Sequence, residues 1–254
     1  MPALATPVTA PLDYLLHLAD NALVLGQRNA EWCGNGPVLE EDIALANMSL
    51  DLIGQARMLY QHAATVAGDG ATEDSLAYFR HAEDFRNFTL LELPHASRNS
   101  ERDYAVTITR NFFYSAFMLL KWEALQNVID AQLAGIAGRS LKEVRYHFRH
   151  SRDWLLRLGD GTAESHQRTQ AAVNQLMPYT AEFWSPTAGE ATDVAALHAQ
   201  WDKLVDDALH EAGLTRPTLQ TSRPYGNVGL HSDHLQPLLA DMQSLARAHP
   251  LAQW

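Results

Sequence analysis

Apolar residues recur three and four positions apart through most of this chain, in stretches too long for anything but helices. Leu12, Leu15, Leu16, Ala19, Ala22, Leu23 and Val24 trace one such stripe. No run of alternating β-branched residues bounded by turns interrupts the pattern, so the expected fold class is all-α. Four long helices are expected at about 12–32, 40–67, 101–136 and 140–158. The first stops at Gly34-Asn35-Gly36-Pro37. The second opens on Glu40, Glu41 and Asp42, which suit a helix N-terminus, and ends at Gly68-Asp69-Gly70. Gly135 and Gly138 bracket an expected turn between the third and the fourth.

Shorter helical segments follow the second helix at about 74–79 and 86–93. Further helices are expected at about 163–184, bent before Pro178, then at 193–212 and 234–248. The stretch 214–229, rich in Thr, Ser, Pro and Gly, reads as an irregular connection. Long helices with short connections imply an antiparallel, ferritin-like four-helix bundle over about 12–160. The helices of 163–254 would flank it within one domain, 1–254.

Composition narrows the function. A hydrophobic fraction of 46% with six tryptophans supplies a core. The net charge of -11 argues against nucleic acid, whose phosphates call for clustered Lys and Arg. One cysteine, Cys33, excludes an internal disulfide and a cysteine-rich metal site, and reads as a small buried residue. The first ten residues lack the basic start and apolar run of a signal peptide, and no stretch approaches the ~18 apolar residues of a membrane span. A cytoplasmic location without membrane contact is expected.

Polar residues interrupt the apolar stripes at revealing places. In carboxylate-bridged di-iron bundles, two helices each carry Glu-x-x-His and each of the other two supplies a carboxylate. Here Glu143 is followed at the histidine position by Tyr146, and Asp51 is followed at that position by Gly54, which has no side chain to ligate with. Asp20 and Asn21 interrupt the first helix, and His147 lies one turn beyond Glu143 on the same face. Asp20 and Asp51 are 31 residues apart, and Tyr114 and Glu143 are 29 apart, as in a duplicated helix pair at matched depth. Helix three offers Tyr114 and Phe117 at that depth, with Glu123 displaced from it. Asp20, Asp51, Gly54, Tyr114, Glu143, Tyr146 and His147 therefore read as vestigial metal-site positions, with no metal and no catalytic residue expected. Buried acids need partners, and Arg57, Lys121, Tyr114, Tyr146 and His147 are at hand. An active di-iron oxygenase using Asp20, Asp51, Glu143 and His147 stays open as the alternative.

Arg145, Arg149 and Arg152 form a basic stripe suited to an acidic partner or to the phosphates of a coenzyme A ester, and equally to a solvated face. In the first role it makes a stand-alone coenzyme A ester-binding module a further alternative. In His231-Ser232-Asp233-His234, Ser232 or Asp233 is expected to cap the last helix, in preference to a zinc half-site. Trp184, Trp201 and Trp254 read as packing or interface anchors. The chain has no phosphate loop, dinucleotide fingerprint or nucleophile elbow, so reducing equivalents would have to come from another protein.

Several blocks together resemble the C subunits of bacterial phenylacetyl-CoA epoxidases. They are the string from Asp20 to Arg28 with Glu31-Trp32-Cys33-Gly34, then 42–47, 50–57, 142–147 and 229–235. The ten N-terminal residues and 186–229 depart from that pattern. The resemblance implies a ferritin-like, non-catalytic structural subunit of a multicomponent monooxygenase in aerobic phenylacetate catabolism. It implies as partners a homologous A subunit that carries the di-iron centre and binds phenylacetyl-CoA, and a small bridging B subunit. A reductase with flavin and iron–sulfur groups would bring electrons from NADPH.

Overall fold

The computed structural model describes residues 9–98, 100–218 and 226–252. Trp254 and the centre of the irregular connection lie outside them. Helix α1 (Leu12–Ala30) is Leu- and Ala-rich, with Asp13 in its first turn and Arg28 in its last, where each charge complements the helix dipole. It is buried on almost every side. Its exit is closed by the Asp42 carboxylate, which accepts from the Gly36 amide at 2.9 Å. A Cβ at Gly36 would lie 2.6 Å from the Cβ of Asp42, so only glycine fits there. Helix α2 (Leu39–Ala67) follows and stops at Gly68, which takes a φ of 68° that other residues resist.

Next come α3 (Glu73–Tyr78), opened by a reciprocal Thr72–Ser75 capping box, a 3-10 turn at Ala82–Asp84, and α4 (Thr89–Glu92). The two other long helices are α5 (Tyr104–Leu125) and α6 (Ala131–Gly159). Their junction corrects the sequence expectation. The turn falls at 126–130, and Gly135 and Gly138 lie inside α6. Asp130 decides this, because its carboxylate caps α6 by accepting from the Leu133 amide at 3.0 Å. It also ties in the Ala10 amide at 2.8 Å and His62 at 2.7 Å. Neither glycine has a positive φ or a close neighbour, and an interior glycine costs a helix only about 1 kcal/mol.

Four side-chain seams set the directions of the long helices. Asp20 meets Tyr60 and Gly26 lies against Leu52, so α1 and α2 run antiparallel. Asp51–His147 and Gln55–Glu143 do the same for α2 and α6. Ser115–Ser151 with Glu123–Arg145 sets α5 against α6, and Asn29–Asn111 with Tyr14 beneath Lys121 sets α1 against α5. Helix α7 (Ala163–Leu176) continues into a 3-10 segment, Met177–Trp184, where Pro178 removes a backbone donor. Both pack near α5 with α8 (Val194–Glu211). Phe117 and Phe183 stack there at 4.6 Å, and fully buried Trp201 donates to the Phe113 carbonyl at 3.1 Å. Half-buried Trp184 stacks on His198. A 3-10 turn at Gly226–Val228 and α9 (Leu235–Ala248) complete the chain. Among the described residues there is no strand, only an isolated Ser97–Ser100 bridge. Among the described residues no helix is long and apolar enough to cross a membrane.

Candidate functional site

Asp20 is the most deeply buried of the candidate acids. Its carboxylate accepts from the Tyr60 hydroxyl at 2.5 Å and from the Arg86 amide at 2.8 Å, and both terminal nitrogens of Arg80 bind it. The guanidinium also lies 4.3 Å from the centre of the Phe85 ring. Burial opposes the charge on Arg80, yet Asp20 and Tyr60 outweigh it and push its pKa up. Burial and then Asp20 hold the Tyr60 phenol well above its ordinary range. The acid is thus fully engaged, by a cation and two donors.

A second buried ion pair lies close by. Lys121 Nζ is 2.5 Å from Glu190 Oε1, an oxygen that also accepts from Tyr14 at 3.0 Å and Thr192 at 2.8 Å. Burial pulls the pKa of Lys121 down, with Glu190 opposing. Burial pushes Glu190 up, but Lys121 and Thr192 bring it below the usual carboxylate range. His17, on α1 between these pairs, donates through Nδ1 to the Arg86 carbonyl at 2.6 Å and accepts through Nε2 from Asn21 at 3.2 Å. Burial lowers its pKa to about 4, so the ring is neutral near pH 7. Asn21 also accepts from the Phe88 amide at 2.7 Å, which pins the loop before α4.

The other candidates lie elsewhere. Half-exposed Asp51 accepts from His147 at 3.0 Å, and Glu143 accepts from Gln55 at 2.9 Å, with Arg139 3.8 Å away. Gly54 borders open space, and Tyr146 is exposed beside His150 and Arg149. Tyr114 is buried on α5, which raises its pKa. Of the expected partners, His147 reaches an acid of the set. Arg57 pairs instead with Glu73 at the surface, Lys121 pairs with Glu190, and Tyr146 faces outward. Cys33 is exposed, against expectation, because it sits in the turn that ends α1 and not on its apolar stripe. In the basic stripe, Arg145 meets Glu123 at 3.3 Å, Arg152 meets Glu211 at 2.5 Å, and Arg149 lies over Tyr146.

Two polar clusters were missed in the sequence. Fully buried Glu92 accepts from Asn87, His231 Nδ1, and both the amide and hydroxyl of Ser232. His231 Nε2 donates to the Phe85 carbonyl at 3.0 Å, so both ring nitrogens face acceptors. Burial lowers the pKa of His231, but Glu92 more than offsets this and raises it. This corrects the capping expectation: α9 has no side-chain cap, and Ser232 serves Glu92. Beside it, burial raises Glu182 to about 7 although the Thr89 and Asn227 amides donate to it. The second cluster centres on His95. Trp32, Thr107 and Arg110 converge on its Nδ1, which leaves Nε2 to donate to the Arg28 carbonyl at 2.7 Å. Burial, aided by Arg28, lowers Arg110 to about 9. Glu92 and His95 were visible as polar interruptions of Leu90-Leu91 and Leu93-Pro94.

A sequence model described as "phenylacetic acid catabolic protein" matches residues 4–254. The chain belongs to that family. The C subunit of 1,2-phenylacetyl-CoA epoxidase from Escherichia coli (strain K12) is 44% identical over 249 residues, covering 95% of this chain and 98% of that protein.

Whether this chain could hold a di-iron centre is a question of donor chemistry. Hard iron ions need about four carboxylates and two imidazoles converging on one point. Asp20 already faces a guanidinium, which would repel a metal cation, and Asp51 and Glu143 belong to the α2–α6 seam. Among the described residues no group of three or more His, Cys, Asp or Glu is disposed to hold a metal ion. The residues present do not fit such a centre.

Proposed function

We propose that this chain is the C subunit of a phenylacetyl-CoA epoxidase in phenylacetate catabolism, a structural subunit without a catalytic centre. Its long helices form a ferritin-like four-helix bundle, about 12–160, flanked by the helices of 163–254 in one domain. It acts in the cytoplasm, pairing with and stabilising a homologous di-iron subunit that binds phenylacetyl-CoA. A small bridging subunit and an NADPH-dependent flavin and iron–sulfur reductase complete the assembly. The vestigial positions are Asp20, Asp51, Gly54, Tyr114, Glu143, Tyr146 and His147.

The observation that carries the reading is the Arg80 guanidinium on Asp20, with Tyr60 as a further donor. A charged side chain takes the place of a metal as the partner of the deepest acid, so the interior is a closed network and not an open coordination site. Iron content and turnover test this. Protein purified alone after iron-rich growth is expected to contain essentially no iron. The reconstituted complex is expected to turn over with Glu143→Ala and to fail without this chain. Close to two irons per chain, or turnover abolished by Glu143→Ala in an intact assembly, overturns the reading.

A further inference from the structure

Helices α2 and α6 together present a face on which an apolar row and a basic row lie side by side. Along α2, Leu39, Ile43, Asn47, Leu50 and Ile53 are exposed at helical spacing, with Ala46 and Gly54 half-exposed among them and Ile53 also reaching Gly26 of α1. Leu39 is 72% exposed, Ile43 51%, Leu50 67% and Ile53 38%. Between Ile43 and Ile53 the one charged residue at the surface is half-exposed Asp51, which borders the row on its α6 side, although the chain as a whole has a net charge of -11. A Cβ at Gly54 would touch nothing, so another backbone has room to approach. Contiguous exposed aliphatics of this extent mark an interaction surface.

Across the Asp51–His147 and Gln55–Glu143 seam, α6 turns out Arg139, Lys142, Tyr146 and Arg149. This helix holds six basic residues against two acidic ones, the reverse of the chain's overall balance. Tyr146 and Arg149 pair at 5.8 Å, and these two residue types are over-represented among the anchors of protein interfaces.

We propose that this α2–α6 face docks the chain's protein partner, and that the partner presents an apolar helical row bordered by carboxylates. Charge complementarity selects that occupant. A second copy would repeat the basic row, while the carboxylates beside it, Asp51 and Glu143, are already engaged by His147, Gln55 and Arg139. A coenzyme A ester would satisfy the cations and leave the aliphatic row in water. The inference rests on the C-subunit reading for the partner's identity, and adds to it the face and the chemistry that face selects.

The test is calorimetric titration of this chain into the purified di-iron subunit, with its fold monitored by circular dichroism. Leu50→Glu puts a carboxylate into the apolar row and is expected to weaken binding at least 100-fold while leaving the fold intact. Lys142→Glu with Arg149→Glu is expected to weaken it about tenfold and to flatten its salt dependence. Lys203→Glu, exposed on α8, is expected to bind like the wild type. Equal binding by wild type and Leu50→Glu overturns the face while sparing the C-subunit reading. A wild-type chain that ignores the di-iron subunit yet forms a homodimer dissociated by Leu50→Glu overturns the proposed occupant. Failure of the wild type to bind or to self-associate overturns the C-subunit reading itself.

Discussion

The two groups of acids in this molecule live under opposite rules. Asp20 itself is out of water, and both its carboxylate oxygens are answered by partners fixed from other elements: Tyr60 from α2, and Arg80 and Arg86 from the segment after α3. At the α2–α6 seam, Asp51 and Glu143 each have one side-chain hydrogen-bond partner, His147 and Gln55, and contact with solvent. The interior network depends on its completeness, since a single lost partner strands a buried charge. The seam tolerates loss because water replaces what is removed. Residues that look equivalent in the sequence therefore differ in the energy they control.

Arg80→Ala should break the comparison most forcefully. It leaves the Asp20 carboxylate buried without its cation, a change that typically costs about 3–5 kcal/mol. Denaturant unfolding of the isolated chain reads it as a lower midpoint at unchanged slope. Arg57→Ala removes an arginine whose ion pair with Glu73 is solvent-exposed, and should cost less than about 1 kcal/mol. Similar losses from the two variants would show that burial is not what sets the cost of losing an arginine from an acid.

Acid should probe the same interior. His17 is held neutral, its pKa lowered from 6.5 to about 4 by burial. Between those values the unfolded chain binds the proton and the folded chain does not, so stability falls as pH drops through that window. The full difference is about 3 kcal/mol, from roughly 1.4 kcal/mol per unit. Asp20, Lys121 and Glu190 also face this histidine and remain in place in the test. His17→Gln keeps a donor for the Arg86 carbonyl but cannot titrate, so its stability should change less between pH 7 and pH 4.5. An unchanged pH slope would place the acid sensitivity elsewhere. Glu182 works in the opposite direction. Its raised pKa of about 7 means that the folded state holds its proton longer, and stability falls as pH rises from 4.5 to about 7.

How much of this could be read from the chain follows from the same contrast. The limits of α1 were legible because its stripe and the stop at 34–37 are both local signals. Asp20 was recognisable as a core acid because it interrupts that stripe. Its partners were not, since Tyr60 and Arg80 lie 40 and 60 residues away and only the folded chain brings them together. Asp51 and Glu143 were read as interior because leucines flank Asp51 and Glu143 keeps helical spacing to His147. On α2, however, apolar residues point both ways: Leu52 is 2% exposed while Leu50 is largely in solvent. An outward apolar row is indistinguishable in sequence from a core stripe until the neighbouring helices are placed. The turn assigned to Gly135 and Gly138 failed for a local reason, since the cap at Asp130 is a stronger signal than an interior glycine.

The smallest expected effect sharpens the comparison from its other side. Asp51→Ala removes the acceptor of His147 but leaves a half-exposed position that water can reach. A pair of this kind contributes about 0–1 kcal/mol, and the thermal midpoint should shift by only a few degrees. Because Asp51 borders the apolar row of α2, the same substitution removes a charge from the rim of the proposed docking face. Rim charges act mainly on association rate and its salt dependence. The variant should therefore keep its stability and show a modest change in the rate at which it associates with the proposed di-iron partner, read by stopped-flow at two ionic strengths. A loss of several kcal/mol would instead make Asp51 part of the interior network, and the division between the two groups of acids would not stand.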